Sequence, residues 1–243
     1  MHLDRKKFIF RTSFPSLIFR RLAITLCCVL FPVLLSACAS APPFKERAKG
    51  LIGLDEKELL ENSIDAGSKN IHLIIKNSGK KLIKVIDDGS GMSKEDAKLC
   101  FEKHATSKIK NINDISNILT MGFRGEALAS IASVSKVEMK TKKSDESIGT
   151  QVFIENSKIN KITETACNNG TSITVKNLFF NIPARKNFLK SDRIELKHVY
   201  EIFIQISLAN PKIIFKLTND NKVVFNLPLQ NLKNRIIQIF GKK

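Results

Sequence analysis

Glu58 and Asn62 lie four residues apart in Lys57-Glu58-Leu59-Leu60-Glu61-Asn62. That spacing is about one helical turn, so both side chains share a face. A carboxylate there can orient and deprotonate a water, and an amide oxygen can ligate a hard cation such as Mg²⁺. Taken alone, the pair also fits the solvated face of an ordinary helix. Asp87-Asp88-Gly89-Ser90-Gly91-Met92 follows a β-like run whose apolar residues end at Ile86. An aspartate at the end of a buried strand can accept a hydrogen bond from the exocyclic amine of adenine, and Gly89 and Gly91 let backbone approach a flat ligand. Taken alone, Asp-Asp-Gly reads equally well as a turn.

Three further segments carry anion or base chemistry. Gly122-Phe123-Arg124-Gly125-Glu126-Ala127-Leu128 leads into an Ala- and Leu-rich helix. Glycines before a helix leave N–H groups free to cradle phosphate oxygens at the positive helix end; Arg124 either reaches phosphate or braces the loop. Thr106, Ser107 and Lys108 occupy a polar stretch between helices. They suit a lid that folds over phosphates, and a solvated basic loop accounts for them as well. Thr171 follows Gly170 and opens a strand, where its hydroxyl can support a base, although a structural role is the simpler reading for that residue. No catalytic role is assigned to His72, His104 or His198. In their order and spacing, the segments together describe a pocket for ATP and Mg²⁺.

The elements that must position these residues follow from periodicity. Asp55 to Ala66 is helical and ends at Gly67. Asn70–Asn77 and Lys81–Asp87 read as strands around Ser78-Gly79. Ser93 with Asp96 forms a capping box that opens a helix to about His104. Asn111–Thr120 is a weaker helix, and Gly125–Ser133 another. Strands are expected at Lys136–Lys142, Thr150–Glu155, Thr171–Asn177, Ile213–Thr218 and Lys222–Leu227, with a long amphipathic helix at Asp192–Leu208. This pattern argues for an α/β sandwich, with helices packed on one face of a mixed, largely antiparallel sheet.

The 243 residues suffice for one substantial core, and 43% apolar content points to a globular body rather than disorder. A net charge of +17 favours anionic partners, although a lysine-rich composition produces the same number. None of the five cysteines forms a metal-ligand spacing with another cysteine or a histidine. Residues 1–50 differ from the rest. Arg5, Lys6, Lys7, Arg11, Arg20 and Arg21 precede an apolar run from Leu22 to Ala37, interrupted by Pro32 and shorter than the roughly 20 residues that span a bilayer. Leu35-Ser36-Ala37-Cys38 resembles a bacterial lipoprotein box. Export of an ATP-dependent protein away from ATP is a contradiction. The favoured expectation is therefore a cytoplasmic body behind a foreign leader; the alternative is a membrane-anchored lipoprotein acylated at Cys38.

From about Glu56 to Phe240 the chain resembles the N-terminal ATPase domain of the MutL family of DNA mismatch repair proteins, within the GHKL superfamily. Glu-x-x-x-Asn and Asp-x-Gly-x-Gly are superfamily features; ENSIDAG, HATSKI, GFRGEALASI and FFNIPARKNFL are similar to MutL in particular. The resemblance implies a Bergerat fold. It makes Glu58 the general base, Asn62 the Mg²⁺ ligand, and Asp87 the partner of the adenine amine, with Gly89, Gly91 and Met92 beside it. Thr106, Ser107 and Lys108 become lid contacts, Gly122 to Leu128 the phosphate loop, and Thr171 a residue behind the adenine. It further implies binding of DNA, including mismatched DNA, an ATP-dependent homodimer, and signalling to mismatch-recognition and downstream repair proteins. Two departures accompany it. The family's N-terminal arm has no match, and the second domain, which supplies a lysine to the γ-phosphate, is expected to begin where the chain ends. The expected organisation is therefore a leader over 1–50, an ATPase domain over 51–230 and a linker from 231, with ATP binding surviving better than turnover. A non-catalytic nucleotide- or DNA-binding fragment is the alternative.

Overall fold

Alternating apolar residues build one sheet. In β1 (Asn70–Lys76) Ile71, Leu73 and Ile75 are fully buried while the residues between them are half-buried or exposed. The same period of two runs through β2 (Leu82–Asp87), β3 (Lys136–Lys142) and β4 (Gly149–Glu155). The computed structural model describes residues 51–102 and 125–241. With β5 (Lys158–Thr165), β6 (Gly170–Lys176), β7 (Ile214–Asn219) and β8 (Lys222–Leu227), the strands form an eight-stranded sheet in the order β5-β4-β3-β6-β2-β1-β7-β8. Every neighbouring pair is antiparallel except β1 and β7, which run parallel.

The helices supply the other layer of the core. They are α1 (Leu51–Asp65), α2 (Lys94–Leu99), α3 (Ala127–Val134), α4 (Pro183–Asn187), α5 (Asp192–Ala209) and α6 (Leu232–Phe240). Leu59 and Leu60 of α1, Ile131 and Ala132 of α3, and Val199 and Phe203 of α5 are buried in one cluster with the inward strand residues. Each fully buried leucine contributes about 1.5–3 kcal/mol relative to exposure. The layered α/β architecture expected from periodicity is thus the one observed.

Several details differ from the sequence expectation. β5 was not anticipated: Lys158–Thr165 is a largely exposed edge strand in which Ile162 alone packs against the core, so no apolar alternation marks it. Its signal is the turn before it, where Asn156 and Ser157 both adopt positive φ. α2 opens as expected, with the Ser93 Oγ accepting from the Asp96 N–H at 3.1 Å, but it ends at Leu99. The Glu102 N–H then bonds the Leu99 carbonyl in a tighter turn. The expected helix at Asn111–Thr120, the leader and His104 lie outside the described residues. Among the described residues, no helix is long and apolar enough to cross a membrane.

α6 is anchored by one buried side chain. Arg235 is fully buried and donates to the carbonyls of Ser207, Pro211, Ile213 and Pro228 at 2.9–3.2 Å. Its guanidinium also lies 5.8 Å from the centre of the Phe215 ring.

Candidate functional site

Asp87 ends β2, and the sheet register sets it opposite Thr171 of β6 and Ile71 of β1. Three donors hold its carboxylate. Oδ1 accepts from the Gly89 N–H at 2.9 Å and the Thr171 N–H at 3.2 Å, and Oδ2 accepts from the Ser63 hydroxyl at 2.9 Å. Burial pushes the Asp87 carboxyl above its ordinary value, while these donors, and more weakly the Ser68 hydroxyl, pull the other way. Each carboxylate oxygen accepts about two hydrogen bonds.

Ser63 sits in α1 next to Asn62, so its bond to Asp87 ties the C-terminal half of α1 to the end of β2. The neighbouring Asp88 has a different task. It accepts from the Lys69 and Asn70 N–H groups and the Asn70 side-chain amide at 2.6–2.8 Å, and so fixes the turn between α1 and β1. Slight burial works against its ionisation, yet these donors hold its carboxyl below the usual range.

The glycine loop is shaped by the protein's own backbone. A side chain at Gly89 would run into Ala66 and Ser68, and Ser90 N–H bonds the Ala66 carbonyl at 2.9 Å. Gly91 has φ +66° and faces the Lys142 backbone so closely that no side chain fits. The protein's own packing, against the turn after α1 and against β3, thus requires glycine at both positions. Met92 N–H then donates to the Thr141 hydroxyl at 2.9 Å. That hydroxyl also bonds the Gly170 carbonyl at 3.1 Å and the Thr171 hydroxyl at 3.0 Å. One buried threonine thus links the loop, β3 and the start of β6.

Glu58 and Asn62 are half-buried on α1. Beside Glu58 lies a cluster of buried acids. Asp55 is pushed up to about 7, by burial first and then by the charge of Glu58, with Arg185 opposing. Glu56 is fully buried and finds no hydrogen-bond partner for either oxygen among the described residues. Burial, Asp55 and Glu195 all raise its carboxyl well above the ordinary range.

Gly125 has φ +63° and leads through Glu126 into α3, which begins at Ala127 and continues through Leu128. The Glu126 side chain does not bond the first N–H groups of α3. α3 packs against α1. Thr106, Ser107, Lys108, Gly122, Phe123 and Arg124 lie outside the described residues. Hydrogen bonds therefore join Asp87, Gly89, Met92 and Thr171 in one network, Gly91 sits within it by close packing on β3, and Ser63 ties to it α1, the helix that carries Glu58 and Asn62.

Ser63 and Thr141 were missed from sequence. Each carried a weak signal: a hydroxyl on the inward side of a helix or strand needs a partner. Cys100 and Cys167 are free thiols, and burial pushes Cys100 up to about 12, so it is inert at neutral pH. Among the described residues, no group of three His, Cys, Asp or Glu is arranged to hold a metal.

Residues 57–178 match the family described as histidine kinase-, DNA gyrase B- and HSP90-like ATPase. The structure of the Aquifex aeolicus MutL ATPase domain complexed with ADP is similar, with 30% identity and a TM-score of 0.64, over 79% of this chain and 69% of that one. The chain belongs to the MutL family of ATPases. It is 54% identical over 187 residues to the DNA mismatch repair protein MutL of Flavobacterium psychrophilum and 49% identical to that of Bacteroides fragilis, covering 77% of this chain in each case. It spans 30% of the length of those MutL relatives. Asp87, Thr171 and the glycine loop from Gly89 to Met92 all fall inside the region matched to the ATPase family.

Proposed function

We propose that this chain is the nucleotide-binding module of a mismatch repair ATPase, which takes ATP with Mg²⁺ and whose nucleotide state governs pairing with a second copy and signalling on DNA. The observation that carries the reading is the half-buried Asp87 carboxylate at the end of β2, held in place by the Gly89 and Thr171 N–H groups and the Ser63 hydroxyl. An exocyclic amine is the donor such a carboxylate suits, and a purine carbonyl there would meet a negative charge. Thr171, in register beside Asp87, offers its hydroxyl at the same edge of the base. The donor set also suits Mg²⁺, which takes oxygen ligands and is commonly shared between one or two side chains and phosphates. Asn62 would hold the ion, which supplies charge neutralisation at the phosphates.

In this reading Glu58 orients a water and takes its proton, one turn before Asn62 on the same helix. The N–H groups opening α3, reached through Gly125 and Glu126 and continuing at Ala127 and Leu128, receive phosphate oxygens. Gly122, Phe123 and Arg124 complete that loop, and Thr106, Ser107 and Lys108 close over it. The working compartment is the cytoplasm, where ATP is available, and the partners are DNA and repair proteins.

Titration with a non-hydrolysable ATP analogue and Mg²⁺ tests the reading. Asp87→Ala should weaken binding by about tenfold or more, the worth of a hydrogen bond to a charged group. Glu58→Ala should bind as the parent does, while any hydrolysis falls by about 10²-fold or more. Equal affinity for Asp87→Ala and the parent would refute it.

A further inference from the structure

Two acids near the start of α1, Asp55 and Glu56, meet Glu195 of α5 below the surface, and the proposed reaction uses none of them. Glu56 and Glu195 are fully buried. Neither oxygen of Glu56 has a hydrogen-bond partner among the described residues, and Asp55 Oδ2 and Glu195 Oε2 are buried without one as well. Glu195 Oε1 accepts from the Lys190 N–H at 2.9 Å, a bond that fixes the turn before α5 and leaves Oε2 unused. α1 packs along α5, so the three carboxyl groups lie in the seam between the two helices.

The surroundings do not compensate them. Arg185 of α4 is exposed and acts on Asp55 against the like charge of Glu58, one turn along. On α5, Asp192 is paired with Lys80 and His198 with Glu201, while Arg193 and Lys197 are exposed. α3, which also packs against α1, carries no titratable residue. On β2, Lys84 stands between the inward-facing Ile83 and Val85 and therefore on the opposite face of the sheet, and Asp87 is bonded to Ser63, two turns farther along α1. Ionised together, the three acids would be desolvated like charges with no cation to answer them. Protons on Asp55 and Glu56 supply what the surroundings lack. A protonated carboxyl is a donor, and Glu195 Oε2 is a buried acceptor without a partner.

Glu58 stands on the turn that this seam holds, two residues after Glu56. Asn62 and Ser63 lie a turn farther on, where the bond from Ser63 to Asp87 ties the helix by a separate contact. We infer that Glu56, with Asp55 and Glu195, is a proton-held clasp that positions Glu58: loss of its protons loosens the first two described turns of α1 and leaves the contact at Asp87 in place. Glu56 acts through Glu58 and is a positioning residue. The consequence for hydrolysis rests on the reading of Glu58 as the base; the clasp itself does not.

Linkage sets the direction. A carboxyl raised in the docked helix and ordinary in the loosened one makes loosening more favourable as pH rises, by about tenfold per pH unit for each proton released. For Asp55 the window runs from 3.8 to about 7; for Glu56 it opens at 4.5 and extends well above.

Hydrogen exchange of the full chain between about pH 5 and about pH 7, corrected for intrinsic rates, tests the clasp. In the parent, the opening constant of residues 56–62 should rise by about tenfold per pH unit or more, while the amides of β1 keep their protection. Glu56→Gln keeps the shape and cannot ionise, so its rise should be about tenfold smaller per pH unit. Asp55→Asn should lower the rise in the same way, and Glu201→Gln, at an exposed acid of α5, should keep the parent behaviour. Equal slopes in the parent and both neutral variants, or protection lost equally from β1, would overturn the clasp. Turnover and analogue affinity are measured on the same samples. The kcat of the parent should fall relative to Glu56→Gln as pH rises, with analogue affinity equal in the two; a constant ratio would overturn the positioning of Glu58. A slope difference in a chain that binds no ATP analogue sinks the nucleotide reading and spares the clasp, and analogue binding without a slope difference does the reverse.

Discussion

Asp87 accepts from residues on three separate elements, so its environment depends on contacts that no local stretch contains. Thr141 is the clearest consequence. Its hydroxyl is fully buried and serves Met92, Gly170 and Thr171 together. Thr141→Val should cost about 1–3 kcal/mol, because it leaves the Met92 N–H without its acceptor. It should also weaken the ATP analogue, whereas Thr141→Ser should restore both; chemical denaturation and analogue titration check the pair. The titration of Asp87 gives a second expectation. Burial raises its carboxyl, and protonation would replace an acceptor on the ligand side by a donor. Analogue affinity should therefore fall on acidification at a higher pH than an ordinary exposed aspartate would dictate, as a pH series of titrations would reveal. At this scale the sequence was legible where chemistry is local. Glu58 with Asn62, and Asp87 with its glycines, are contiguous strings. Ser63 was not legible as a partner of Asp87, because the two are 24 residues apart and only the docking of α1 on β2 joins them.

Among the elements, α1 carries an internal conflict. Its inward face holds Leu59 and Leu60 but also Glu56, fully buried beside Asp55 and Glu195. A carboxylate raised in the folded state binds more protons there than in the unfolded chain, so its contribution to stability is greatest at low pH and is lost as pH rises. For Asp55 the window runs from its ordinary 3.8 to about 7, and the loss across it is on the order of a few kcal/mol. Glu56→Leu should raise stability by about 1–4 kcal/mol, since a packed apolar side chain replaces an unpaired buried acid. It should also flatten the fall in thermal midpoint as pH rises; scanning calorimetry at several pH values decides both. Helix periodicity marked α1 and α5 within a few residues, but burial of Glu56 could not be foreseen from its type. α6 and β5 escaped for related reasons. Arg235 anchors α6 by four backbone carbonyls, which have no sequence signature, and β5 lies at an edge where most of its residues meet water.

For the molecule as a whole, the strand order carries a consequence about where the chain can be divided. The match to the ATPase family ends at residue 178, which invites the view that everything needed for a stable fold lies before that point. β1 contradicts it. Its six-residue pairing with β7, and the burial of Phe215, Leu217 and Leu227, come entirely from residues beyond Leu178. Ending the chain there would strip one flank of β1 of its partners and leave Ile71, Leu73 and Ile75 beneath a layer that no longer contains α5. A naked central strand of that composition is a template for pairing with other copies. Light scattering of such a shortened version should report clumping, where the intact polypeptide stays dispersed. The segment matched to the ATPase family and the scaffold that keeps it apart from its neighbours in solution therefore have different borders.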